Sequence, residues 1–228
     1  MDKRKCDCGN PTVKYYSEVF GRDIHSRFCE QCETKQREFV EQKIIQEQLK
    51  KIENQVKRTL PKIYQHSKIS DLNPQLAEAI HRKPVNQGLF LWGPVGTGKT
   101  YAAAAVVRHY IEKGNQAKFV DFADLLLDIR NCFRSNGMTE RQILEPLLNS
   151  SLLVLDDIGT NKNGGQESEF TTEVFRKLIN HRINELLPTV ITSNLSPENL
   201  GAAFGERIAS RLKTFAVVKL GGKDKRQD

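Results

Sequence analysis

Eight consecutive residues, Gly93-Pro94-Val95-Gly96-Thr97-Gly98-Lys99-Thr100, carry the most specific chemistry in the sequence. Glycines at this spacing let backbone N–H groups curl around a phosphate. The lysine adds a point charge for the β- and γ-phosphates, and the following hydroxyl suits Mg²⁺. The pattern requires a strand before it and a helix after it. Apolar GLFLW at 88–92 and the Ala-rich run that opens at Lys99 supply both. Gly93 through Thr100, with Tyr101 next to it, is therefore expected to cradle a nucleoside triphosphate.

Three further groups belong with that cradle. Leu152-Leu153-Val154-Leu155-Asp156-Asp157 reads as a buried strand that pushes two acids to the sheet edge, where ligands bind. Asp156 is expected to share Mg²⁺ with Thr100, and Asp157 to orient and polarise the attacking water. Aspartate is a methylene shorter than the glutamate of many ATPases, which leaves room for slow turnover; the bland alternative is that Asp157 only caps the next turn. Thr192-Ser193-Asn194 ends a later strand and places Asn194 to hydrogen-bond the γ-phosphate or the water. Arg207 and Arg211, four apart in GERIASRL, share one helix face. An arginine presented by a neighbouring subunit stabilises charge on the transferring phosphoryl group, and two solvated surface arginines are the alternative.

The elements that must hold these groups alternate. Strands are expected at 88–92, 117–122, 151–157, 188–194 and 214–220, and helices at 99–113, from 123 to about 134, and at 140–149, 168–187 and 205–213. Alternation of this kind predicts an α/β fold, a parallel sheet with helices on both faces. Residues 61–87 read as a mixed lead-in. Ahead of it, 34–59 contains no Gly or Pro and repeats apolar residues at Phe39, Val40, Ile44, Ile45, Leu49, Ile52 and Val56, a long amphipathic helix. It could pack on the main body or bind a partner.

The first 32 residues hold Cys6, Cys8, Cys29 and Cys32, a C-x-C and a C-x₂-C separated by 20 residues. Thiolates so clustered in a reducing compartment read as Zn²⁺ ligands, with His25 able to replace one. A head of about 33 residues buries too little apolar area to fold unaided, so a metal staple is physically sensible. Cys132 stands alone and reads as structural.

Composition narrows the setting. Lys and Arg total 35 against 28 Asp and Glu, a net charge of +7, which suits contact with a phosphate backbone without establishing one. No apolar run approaches the ~18 residues of a membrane span, and the polar, Cys-bearing start MDKRKCDCGN does not read as a signal peptide. A cytoplasmic location is expected.

In this order, GPVGTGKT, LLVLDDIG, ITSN and GERIASRL resemble the AAA+ ATPase domain of bacterial replicative-helicase loaders of the DnaC/DnaI type. Segments at 124–126, 132–137 and 140–144 strengthen the likeness, which covers roughly 65–220. Together with the cysteine cluster and the 16 residues that follow Leu212, the resemblance suggests a layout: a zinc-binding head at 1–33, a helical connector at 34–60, an AAA+ domain at 61–220 with no room for a C-terminal lid, and a polar tail at 221–228. It implies ATP hydrolysis stimulated by oligomerisation and single-stranded DNA. Its partners would be the hexameric replicative helicase, docked through the N-terminal region, single-stranded DNA, and further copies of the chain. Arg211 matches the arginine-finger position and Arg207 its companion. Phe133, and Ser168 with Phe170, match DNA-contacting positions, although four extra residues around 162–165 precede the second. The head leans toward the zinc-bearing DnaI type. IstB-type transposition helpers share the motifs and are the competing reading, beside a nucleotide-bound interaction module with little turnover.

Overall fold

Residues 5–19, 21–82, 88–133, 138–159 and 167–222 are described in a computed structural model, and the chain divides into two units, Met1–Glu53 and Asn54–Asp228. In the first unit a tight turn carries Cys6 and Cys8, and its Gly9 N–H donates to the Cys6 carbonyl. An antiparallel hairpin follows, β1 Lys14–Ser17 and β2 Arg22–His25. The long helix α1 spans Glu30–Thr59. It opens ahead of the expected start at 34 because Glu33 N–H reaches the Cys29 carbonyl and two glutamates, Glu30 and Glu33, favour a helix N-terminus. Cys32 therefore sits on its first turn. Along α1 the stripe of Phe39, Val40, Ile44, Ile45 and Leu49 is exposed, whereas Val56 is buried. The last turns belong to the second unit.

There the lead-in resolves into two 3₁₀ turns, Lys62–Tyr64 and Ile69–Asp71, and α2 Pro74–Arg82. The alternation then runs β3 Leu89–Trp92, α3 Lys99–Glu112, β4 Ala117–Asp121, α4 Phe122–Cys132, α5 Glu140–Leu148, β5 Leu152–Ile158, α6 Glu169–Asn184, β6 Thr189–Ser193, α7 Pro197–Phe204, α8 Glu206–Leu212 and β7 Ala216–Lys219. Helix α7 escaped the sequence reading, although Ser196 capping ahead of Pro197 is a start signal. The five strands pair in parallel in the order β4-β5-β6-β3-β7. This is the expected α/β class, and its buried strands are near-continuous apolar runs because helices cover both faces.

Small side chains let α3 lie close to the sheet: Ala102 to Ala105, Val106 and Val107 are all buried. Across the sheet Phe122, Phe175 and Phe204 join α4, α6 and α7, with ring centroids 5.7 and 4.7 Å apart. At the opposite end of the strands from the 93–100 loop, Arg182 is fully buried. Its guanidinium donates to the carbonyls of Leu147, Leu148, Ser150 and Pro188 and to Thr189 Oγ1. It ties the end of α5 to the starts of β5 and β6.

Candidate nucleotide site and metal cluster

The sheet order puts β3 beside β6, so the loop after β3 opens next to the end of β6; Gly93 N–H donates to the Ser193 carbonyl. Gly93 is required there, since a Cβ would lie 2.0 Å from the Leu220 carbonyl oxygen. Gly98 takes a left-handed φ of 89° as it enters α3, a conformation that glycine adopts without strain. Thr97 Oγ1 donates to the Pro94 carbonyl at 2.9 Å and ties the loop. Lys99 Nζ donates to the carbonyls of Gly93 and Pro94 at 2.9 and 2.8 Å, so the ammonium sits at the mouth of the loop.

Successive residues of a strand face opposite ways, yet Asp156 and Asp157 line one cavity. The reason is a register shift between Leu155 and Ile158, where Asp157 adopts a φ of 59°. Such a bulge re-aims a side chain, and Asp is among the residues that tolerate the left-handed region. Thr192 then holds both acids. Its hydroxyl donates to Asp156 Oδ1 at 2.6 Å and accepts from the Asp157 N–H at 2.8 Å. Asn194 Nδ2 donates to Asp157 Oδ1 at 3.3 Å. Thr100 also hydrogen-bonds the Asp156 carboxyl.

Lys99, Thr100, Asp156, Asp157 and Asn194 thus line one cavity of about 430 Å³, together with Val95 and Gly96 of the loop. Burial, offset by the hydrogen bonds from Thr192 and Thr100 and reinforced by the charges of Asp157 and Asp121, pushes the Asp156 carboxyl above the usual range. A divalent cation would favour the charged form of such a carboxylate. Thr100 and Asp156 offer the hard oxygen donors that Mg²⁺ takes.

The sequence reading missed five residues of this cavity: Pro61, Tyr64, Phe119, Asp121 and Asp124. Asp121 caps α4, accepting from the N–H groups of Ala123 and Asp124, and lies in register with Asp156. An acid at the end of strand 117–122 was its available signal; Tyr64 had none.

Arg207 and Arg211 do not line this cavity. Arg207 is exposed on α8, and Arg211 is half-buried one turn on. Phe133, just past α4, is exposed at 67%. Phe170 instead packs partly buried at the edge of the core, under the guanidinium of Arg130 at 5.1 Å. Ser168 is occupied as the cap of α6, accepting from the Thr171 N–H. Cys132 donates to the Ile129 carbonyl, as a structural thiol does. Residues 134–137, the extra residues around 162–165 and the tail from 223 lie outside the described residues.

In the first unit the sulfurs of Cys6, Cys8, Cys29 and Cys32 lie within 4.8 Å of one another. Thiolates at about 2.3 Å from a tetrahedral Zn²⁺ stand about 3.8 Å apart, so the donor set fits. Backbone N–H groups of Cys8 and Cys29 pull the Cys6 thiol down to about 6, and the crowding of the other sulfurs pushes Cys32 up to about 12. His25 is turned to Thr12, 3.1 Å from its hydroxyl, and is not among the clustered ligands.

Residues 28–213 match the family described as IstB-like ATP binding protein. The replicative helicase loader DnaC of Escherichia coli (strain K12) is 30% identical over 121 residues, 53% of this chain and 48% of that protein. The replicative helicase loader DnaI of Bacillus subtilis (strain 168) is 29% identical over 153 residues, 61% of this chain and 48% of its own length. The chain thus spans about half the length of these curated relatives. A crystal structure of the DnaC helicase loader superposes with a TM-score of 0.60 at 25% identity, covering 71% of this chain and all of that one. No helix among the described residues is long and apolar enough to cross a membrane.

Proposed function

The chain belongs to the IstB-like ATP-binding protein family, and from that premise we propose that it is an ATP-dependent loader of a hexameric replicative helicase onto single-stranded DNA. The observation that carries the ATPase half is the shared cavity of Lys99, Thr100, Asp156, Asp157 and Asn194. The loader half is supported by the names of the curated relatives.

ATP binds with its phosphates on the 93–100 loop and the N-terminus of α3, where backbone N–H groups and the helix dipole meet negative charge. Lys99 turns from the loop carbonyls to the β- and γ-phosphates. Thr100 and Asp156 would hold Mg²⁺, which would supply positive charge to the phosphate oxygens. Asp157 accepts a proton from the attacking water, and Asn194, bonded to Asp157, orients both. Arg211, with Arg207 as its companion, reaches the site of a neighbouring subunit, in keeping with their place outside the cavity of their own chain. Self-association is then part of turnover. Phe133 offers an exposed ring on which a base of single-stranded DNA stacks; Ser168 and Phe170 are assigned a second DNA contact by resemblance alone. The N-terminal region docks the helicase, and the four cysteines would hold a Zn²⁺ that would staple its fold.

Two measurements test this. ATP turnover is compared between wild type and Lys99→Ala, with and without single-stranded DNA and a hexameric helicase; equal, slow turnover throughout removes the enzyme. Co-purification then separates partners, because capture of a transposase instead of the helicase selects the transposition-helper reading. Normal loading by Asp157→Asn would reduce the nucleotide to a structural ligand.

A further inference from the structure

Two cavities of different chemistry flank the phosphate loop, and they orient the nucleotide. The acidic one takes Mg²⁺ and the phosphates. The other, about 570 Å³, opens past Thr97, Gly98 and Tyr101, with Leu72, Leu76 and Val218 among its walls. Apolar walls suit a purine, so this side receives the nucleoside. The inference below rests on the ATP reading above.

One acid lines this second cavity, Asp71, at the end of a 3₁₀ turn. Tyr101 OH donates to its Oδ2 at 2.8 Å and Ser70 Oγ to its Oδ1 at 3.0 Å. These donors, with Lys68 nearby, hold the Asp71 carboxyl below the usual carboxylate range, so it is charged at neutral pH. Burial and the Asp71 charge push the Tyr101 phenol up, which keeps it a donor. A carboxylate has about four acceptor directions, and two donors leave room for more. Position decides what donor arrives. Tyr101 directly follows Thr100, the last residue of the phosphate loop, and in a nucleotide the group next to the phosphates is the sugar. Vicinal hydroxyls are suitable donors for a carboxylate, as in the dinucleotide folds where an acid takes a ribose hydroxyl.

We propose that Asp71, held by Tyr101 and Ser70, accepts hydrogen bonds from the ribose hydroxyls of the bound nucleotide and so selects ribonucleotides over deoxyribonucleotides. A hydrogen bond to a charged group corresponds to about tenfold or more in affinity.

The test is calorimetric titration of the full chain with Mg²⁺ and ATP, 2′-deoxyATP or 3′-deoxyATP. Wild type is expected to bind ATP about tenfold tighter than at least one deoxy analogue. Asp71→Ala is expected to bind ATP about tenfold more weakly, with affinity for that analogue unchanged, so the preference vanishes. Tyr101→Phe frees the carboxylate and shrinks the preference. Melting curves accompany each variant, and if Asp71→Ala melts early the near-isosteric Asp71→Asn is read instead, with a smaller loss of preference. A wild type that binds all three nucleotides equally overturns the inference, as does an Asp71→Ala chain that weakens all three equally. A wild type that binds none of them overturns the ATP reading itself.

Discussion

Thr192 offers a sharp test of how the two acids are held. Its side chain is 1% exposed and bridges β6 to β5, donating to Asp156 and accepting from the Asp157 N–H. Thr192→Val keeps shape and burial but deletes the hydroxyl. The lost bond to a carboxylate is worth about 1.5–3 kcal/mol, and the Asp157 N–H left unpaired costs about 1–3 kcal/mol. Relief from burying a hydroxyl offsets part of this, so a net loss of about 2–3 kcal/mol is expected. For a unit of this size that lowers Tm by about 4–12 °C.

The functional effect has its own signature. Asp157 sits on a bulge with φ 59°, and without the anchor its carboxylate drifts; a misplacement of about 1 Å costs on the order of 100-fold in turnover. The Thr192 hydrogen bond also holds the Asp156 carboxyl down against burial. Its loss raises that carboxyl further, so the acid limb of Mg²⁺-dependent ATP binding moves to higher pH. Thr192→Ser restores the hydroxyl and should restore both the limb and kcat. The assay is steady-state turnover against pH, run below the melting temperature of each variant. Wild-type kcat and an unmoved acid limb in Thr192→Val would refute the bridging role.

Arg182→Met takes their shared donor from the carbonyls of Leu147, Leu148, Ser150 and Pro188, of which Leu147 and Pro188 keep the Ser150 hydroxyl and the Leu153 N–H; at about 1–3 kcal/mol for each carbonyl left unpaired, a loss of about 3–5 kcal/mol and a Tm drop of about 6–20 °C are expected by circular dichroism. A drop under about 2 °C would mean the carbonyls find other donors. The Asp156 carboxyl is raised in the folded state, so its contribution favours folding at low pH and is lost as pH rises from the unfolded value through the folded one. Asp156→Asn is therefore expected to raise the ligand-free Tm at pH 7 by a few °C while abolishing Mg²⁺-dependent nucleotide binding; a lower Tm contradicts it. In the first 53 residues the buried side chains, among those described, are Cys6, Thr12 and Cys29. With so little core, chelation should melt the β1–β2 hairpin, seen by NMR, and leave the melting of the 54–228 unit unchanged; purified protein free of metal would count against the staple.

Much of the site was legible because its signals are local. The phosphate loop is eight contiguous residues, and chain geometry alone brings its N–H groups round one point. A C-x₂-C pair at a helix start is likewise close by covalent connection. Burial of the 152–155 run needed only its apolar composition, and that burial fixed the sheet edge as the place of the acids. The contacts that no local pattern reveals are those between distant segments. Thr192 meets Asp156 across 36 positions and Tyr101 meets Asp71 across 30. Phe170, matched by resemblance to a DNA contact, packs at the core edge under Arg130, because α6 begins beside the end of α4.

The sequence by itself therefore determined the class of ligand, the alternating α/β order and the identity of the clustered thiols, since composition and short spacings are enough for each. Tertiary structure alone decided how two successive aspartates come to face one cavity. An unbroken strand would send them to opposite faces; a bulge and a threonine on the neighbouring strand turn both to one cavity. That depends on register between β5 and β6, which exists only once the sheet has formed.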